Sequence, residues 1–309
     1  MQPSSTSSFS RFAKFLGTIL IVLLSIGLIF NYAFERIVIF SGEIGGAAKI
    51  NRIIKVDEAG EIPIFGSSRA QGSFVPSILG EAYFNYGIDG TQMNILGFFL
   101  KKELQKDKSG PILINFDLVG FRSSYGDLGN YIPNYPETRE IIEADAKFYY
   151  HLPLIKYFGK YESYLKYRLN EKLNITKHTD RGGSFEKNVL TEKIFAEMVE
   201  RRRNTADQFR IEVPVKDAFE KLVDATDRPI FLIIAPYHPS YFHKFEGLAQ
   251  AQAYLAQMQA RPHVQVLDFS QEVYADSLFT NTTHLNYEGA IKFTEALKKE
   301  MHAISNPTP

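Results

Sequence analysis

Between Lys14 and Glu35 the chain carries no charged residue, and most of that stretch, LGTILIVLLSIGLIF, is continuous apolar sequence. About 20 apolar residues in a helix cover the hydrocarbon core of a bilayer. A secretory signal peptide is the competing reading, because Arg11 and Lys14 form a short positive segment ahead of the run. Signal peptides have a shorter apolar region closed by a small-residue cleavage site. Here the bulky sequence NYAFERIVIF follows instead, so an uncleaved anchor over residues 15–34 fits better. Arg11 and Lys14 precede the run, while Glu35 and Arg36 follow it. This mild positive bias predicts a cytoplasmic tail over residues 1–14 and a single pass through the inner or plasma membrane. The remainder is then expected on the periplasmic or extracellular side.

With 309 residues, 45% of them hydrophobic, the chain can bury one substantial core with an accessory part. The 35 basic and 35 acidic residues cancel, which gives no basis for a nucleic-acid partner. The one dense basic run, Arg201-Arg202-Arg203, falls in a charged stretch that reads as the solvated face of a helix. The absence of cysteine excludes disulfides, thiolate metal sites and a cysteine nucleophile, although it does not by itself identify a compartment.

Past the anchor, residues 35–59 read as a connector rich in small residues (SGEIGGAAK). Five short apolar runs follow as candidate strands: 62–65, 83–88, 111–116, 229–235 and 264–269. Continuous rather than alternating apolar sequence predicts strands covered on both faces, as in a parallel sheet. Helical segments fit between most of them, over 91–104, 246–259 and 287–301. The expected fold is a three-layer α/β/α domain over residues 60–305 built on a five-stranded parallel sheet. A long gap, residues 120–225, breaks the rhythm with Tyr/Phe-rich and charged helical sequence. It is expected as a helical insertion, either an extra helical layer or a cap over the strand ends.

Ligands of open α/β sheets bind beyond the carboxyl ends of the strands, and three segments fall there. Gly66-Ser67-Ser68-Arg69 leaves the first strand and enters a helix. NYGIDGTQ (85–92) follows the second strand, with glycines that let the backbone approach a ligand. NTTHLNYEG (281–289) follows the fifth strand and opens the last helix, so His284 could face Ser68 across the strand ends. Among the other histidines, His238 follows the fourth strand and borders the same edge. His151, His178, His263 and His302 have no partner at metal-ligand spacing, and no metal or other cofactor is expected.

The combination of these blocks resembles the SGNH (GDSL-type) hydrolase superfamily, a flavodoxin-like fold. The resemblance is nearest to its membrane-anchored branch, associated with acylation of cell-surface polysaccharide. Gly66-Ser67-Ser68 matches the first block, and residues 281–289 match a last block of the form D-x-x-H-L-N-x-x-G except at its first position. The resemblance implies Ser68 as nucleophile and His284 as general base. It implies the Ser68 backbone N–H and Gly90 as oxyanion donors, with Asn281 in the place of the triad acid. Arg69, Asp117 and His238 are candidate site-lining residues. Two departures stand out: no Gly-x-Asn-Asp block follows the third strand, where INFDLVGF puts Asn115 inside the strand, and position 281 holds an amide. The implied function is an extracytoplasmic serine esterase or O-acyltransferase acting on acyl esters of a cell-surface glycan, with a membrane-bound acyltransferase as a candidate partner. The alternative is a catalytically impaired domain that binds glycan or docks onto such an acyltransferase.

Overall fold

The computed structural model describes residues 6–123, 132, 135–142, 152–175, 177–201, 207–272 and 274–305. Helix α1 (Thr6–Phe34) contains the uncharged run. At 1.5 Å per residue it extends about 43 Å, and the stretch is long and apolar enough to cross a membrane. Along most of its length its side chains are exposed, Ile21 and Ile29 by 65% and 69%, while Asn31 and Phe34 at its end are buried against the protein. The chain leaves it through a π-helical turn, Glu35–Ile39.

The segment expected as a connector holds a helix, α2 (Gly46–Lys55). Its glycine-rich start masks the helical spacing of Ala47, Ile50 and Ile53, all of which are buried. Five parallel strands follow: β1 (Ile62–Phe65), β2 (Tyr83–Asn85), β3 (Ile112–Asn115), β4 (Ile230–Ile234) and β5 (Val264–Asp268). They form one sheet in the order β2-β1-β3-β4-β5. Strand β2 ends at Asn85, three residues short of the apolar run, although Tyr86 and Ile88 N–H still donate to Ile64 O (2.8 Å) and Gly66 O (3.1 Å).

The period-two geometry of the strands divides the core. Phe65, Ile112, Ile114, Leu232 and Ile234 point to one face. There they meet α2, α4 (Met93–Glu103), α6 (Val213–Asp224) and α7 (Leu248–Gln259). Ile64, Leu113, Phe231 and Ile233 point to the other face, against α3 (Ser68–Ser73) and α8 (Tyr287–Ser305). The three-layer α/β/α arrangement therefore follows from central strands whose apolar side chains are buried on both faces.

The long insertion is more varied than a helical cap. Its described part contains α5 (Tyr161–Leu173), an antiparallel hairpin of Lys177–Asp180 with Gly183–Glu186, and a helix over Glu192–Arg201. Residues 202 and 203 of the basic run and His151 lie outside the described residues. Helix α6 at the end of the insertion is a layer helix, since Phe219 and Val223 are buried in the first core. The hairpin packs behind α3 and the start of α8: Ser77 N–H donates to Asp180 Oδ2 at 2.9 Å, and the His178 and Tyr287 rings are 4.1 Å apart.

Candidate active site

In this strand order β2 lies on one side of β1 and β3 on the other, so the chain direction across the sheet reverses at β1. Such a switch point opens a crevice at the carboxyl edge. Four of the five strands deliver their following residues directly to this edge, and β5 does so through the loop that ends in a small hairpin, Phe279–Asn281 with His284–Leu285.

The turn that carries Ser68 is set by Gly66. Its φ of +149° lies in the region that favours glycine, and a Cβ there would stand 2.7 Å from the Ala70 Cβ. Ser67 then caps α3, its Oγ accepting from Arg69 N–H at 3.2 Å. Ser67 Oγ–H donates to Asp117 Oδ2 at 2.5 Å, and Asn115 Nδ2 donates to Asp117 Oδ1 at 2.8 Å. Burial pushes the Asp117 carboxyl above the usual carboxylate range, opposed by Arg69, Ser67 and Asn115. Asp117 thus fixes the serine turn to the end of β3. Asn115 ends that strand, with its amide engaged by Asp117 and by Ala235 N–H at 3.3 Å.

Ser68, first in α3, places its Oγ 2.8 Å from His284 Nε2. The imidazole tautomer follows from position 281. Asn281 Oδ1 accepts from the backbone N–H groups of Thr283 at 2.9 Å and His284 at 3.0 Å. Only an oxygen can do this, so the orientation of the amide is fixed. The same oxygen lies 3.1 Å from His284 Nδ1 and takes the Thr283 hydroxyl hydrogen at 3.0 Å. With its hydrogen so committed, the Thr283 Oγ1, 2.9 Å from Nδ1, is a second acceptor there. A proton on Nδ1 fits these two acceptors and turns the Nε2 lone pair to the serine hydroxyl.

Arg69 is buried, 5% exposed, and organises the site from behind rather than lining it. Its guanidinium donates to the carbonyls of Thr283, Ala235 (2.6 Å) and Pro236 (3.2 Å). It lies 3.3 Å from the Tyr237 ring centre, with Nε 3.3 Å from Asp117 Oδ1. One side chain thereby ties the histidine loop to the ends of β3 and β4. His238 also stands behind the loop. Its N–H donates to Thr282 O at 3.2 Å, and its ring bridges Ser240 Oγ (2.7 Å) and Asp276 Oδ1 (3.1 Å). At 8% exposure it does not border open space.

The rest of the last block is structural. Asn286 Oδ1 accepts from Gly289 N–H at 3.0 Å at the start of α8, while its Nδ2 donates to Ser277 O at 2.7 Å. A Cβ at Gly289 would lie 2.1 Å from Leu278 O, so glycine lets the helix close onto the hairpin.

On the β2 side, buried Asn85 donates to Ala70 O (2.8 Å) and Phe74 O (3.0 Å) of α3 and accepts from Gly87 N–H (2.9 Å). Lys49 of α2, wholly buried, donates its amine to Gly87 O. Gly90 follows at φ +70°, exposed at the tip of this turn. The next residues, Thr91 and Gln92, line a small cavity of about 20 Å3 with Gly66, Ser67, Asn115 and Asp117. The structure brings Ser68, His284 and Asn281 into direct contact, with Arg69 and Asp117 supporting them. Thr283 and the clamp made by Arg69 carry no signature in the sequence: Thr283 acts through the turn of a hairpin, and the carbonyls that Arg69 meets lie 166 to 214 residues away along the chain.

Fold and site together define an α/β protein with a serine–histidine pair at the switch point of a parallel sheet. No protein-family model matches the chain, and no curated protein matches it. Among solved structures it is similar to one described as "a putative platelet activating factor from Streptococcus pneumonia". The identity is 13% and the TM-score 0.39, over 90% of this chain and 99% of that one. A likeness that distant carries no function across.

Proposed function

We propose that this chain is an ester hydrolase or O-acyltransferase of SGNH type that works through Ser68 and His284. The observation that carries this reading is the 2.8 Å approach of Ser68 Oγ to His284 Nε2, with Nδ1 held by Asn281 Oδ1. In the acylation step Ser68 Oγ attacks the ester carbonyl carbon while Nε2 takes the hydroxyl proton. The oxyanion would be held by the Ser68 N–H, an orphan donor of the first helical turn, and by the Gly90 N–H. On collapse the alkoxide leaves with the proton from Nε2. Water, or the hydroxyl of an acceptor, then gives its proton to Nε2 and takes the acyl group from Ser68, whose Oγ leaves with the proton returned by Nε2. Hydrolysis and transfer differ only in that acceptor.

The anchor supports placing this chemistry at a membrane, with the N-terminus cytoplasmic and the domain on the far side. A cell-surface glycan as substrate, and a membrane acyltransferase as partner, rest on the resemblance of the sequence blocks. A fluorophosphonate probe tests the reading: the wild type should be labelled and Ser68→Ala should not. An unlabelled wild type in folded form would remove the proposal. One observation favours the second reading, a glycan-binding or docking domain with impaired chemistry: Asn281 and Thr283, which hold Nδ1, are both uncharged.

A further inference from the structure

Helix α5 of the insertion has two different faces. Tyr161, Tyr164, Arg168 and Glu171 are on the side turned to the protein. Tyr161 packs on Phe30 and Phe34 of α1, with ring centres 5.6 and 4.8 Å away. Arg168 donates to Ser41 O at 2.9 Å, and Glu171 accepts from Glu43 N–H at 2.7 Å. On the outer side Leu165, Leu169 and Leu173 recur every four residues and are 52%, 53% and 59% exposed. Phe158, just before the helix, is 81% exposed. Tyr161 and Tyr164 thus face inward while the leucines face outward beside an exposed Glu162–Lys166 pair at 2.6 Å, and an exposed run of large apolar side chains of this kind marks contact with another surface.

The location of that face identifies what covers it. Glu35 is the first charge after the uncharged run, so it marks the level at which α1 leaves hydrocarbon. Its Oε1 accepts from Lys156 Nζ (3.1 Å) and Tyr157 Oη (2.6 Å). The Tyr157 ring also packs on Phe34, 5.6 Å between centres. The start of α5 is therefore pinned to the exit point of the anchor. Tyrosines gather at this height in membrane proteins. Lys166 and Lys172 flank the leucines and can lie along the surface with their amines among lipid phosphates.

We propose that Phe158 and the Leu165–Leu169–Leu173 face of α5 sit in the interfacial layer of the bilayer that α1 crosses, holding the domain against the lipid in one orientation. This rests on α1 being a membrane span and is independent of the serine–histidine chemistry. The hairpin that follows α5 packs behind α3, so the contact fixes the height of Ser68 above the membrane and suits a substrate presented at that surface.

The chain has no cysteine, so single replacements can be labelled cleanly in the full chain, reconstituted in phosphatidylcholine/phosphatidylglycerol vesicles. A polarity-sensitive fluorophore is placed at Phe158→Cys, Leu165→Cys and Leu169→Cys, with Leu24→Cys in α1 and Asp217→Cys on exposed α6 as references. The three test labels should be blue-shifted and quenched by lipids bearing a quencher near the headgroup. Leu24→Cys should be quenched best by chain-end quenchers, and Asp217→Cys by neither. If Leu24→Cys is lipid-quenched while the test labels stay accessible to aqueous iodide, the proposal is wrong and the anchor stands. If Leu24→Cys is itself in water, the anchor reading fails and takes the proposal with it. Test labels shielded from iodide yet untouched by lipid quenchers would mean that a second copy or another protein covers α5, which also overturns it.

Discussion

Replacing Asn281 by aspartate changes the charge at the atom that orients His284 and little of its shape. A carboxylate 3.1 Å from Nδ1 would attract the imidazolium formed as Ser68 loses its proton. The Coulomb energy at that distance is about 5 kcal/mol at an effective dielectric of 20 and about 1.3 kcal/mol in bulk water. Both side chains are half-buried, which places the gain low in that range, about 2 kcal/mol, or roughly 30-fold in rate. In serine-protease triads the corresponding exchange is worth about 10⁴, largely because the amide there selects the wrong tautomer. Here two backbone N–H groups already hold the amide oxygen toward Nδ1, so that part of the gain is absent. The second-order rate of fluorophosphonate modification of Ser68, followed by intact mass, measures the effect without a known substrate. A gain of about 10³ or more would show that wild-type His284 carries its proton on Nε2. No gain in a folded Asn281→Asp protein would show that His284 is not the base.

Three further outcomes follow from the supporting residues. Arg69→Met leaves Asp117 without its cation and three carbonyls without a donor, and should cost about 3–5 kcal/mol in denaturant unfolding, with loss of Ser68 labelling. Gly289→Ala puts a methyl against Leu278 O and should destabilise by about 1–3 kcal/mol, while slowing labelling because the histidine hairpin is displaced; an unchanged melting temperature and labelling rate would contradict the packing. Burial pulls the Lys49 amine down to about 7 from 10.5, opposed by Glu171 and Glu43. Between those values the unfolded chain binds the extra proton, so stability rises as pH rises from about 7 and is lost as pH falls back toward it. Melting temperatures from pH 7 to 9 should climb in the wild type and flatten in Lys49→Met; parallel profiles would refute this.

The strands of the sheet were legible because runs that are mostly apolar, without alternation, have to be covered on both faces, and all five strands lie within the runs that mark them. Helix α2 was not, since Gly45 and Gly46 look like linker and its burial is decided by α4 and the turn at Gly87. The blocks around Ser68 and His284 could be found by their residue types at strand ends. The order β2-β1-β3-β4-β5 supplies what sequence cannot, the crevice in which they meet. The work of Arg69 was hidden, because an arginine beside a serine reads as lining the site until the carbonyls of residues 235, 236 and 283 are seen around it. Position 281 was legible only as a missing acid. That its oxygen is aimed by backbone N–H groups depends on the hairpin, which has no signature beyond Asn-Thr-Thr.

Ser68 and His284 stand 216 residues apart, and the loop of the latter is held by β3, β4 and α8. While the chain is being made, Ser68 emerges well before His284. Under the proposed function Ser68 is an ordinary alcohol until residue 284 has been made and its loop has closed onto the strand ends. The contact between them therefore reports closure of the whole sheet edge rather than of any local segment.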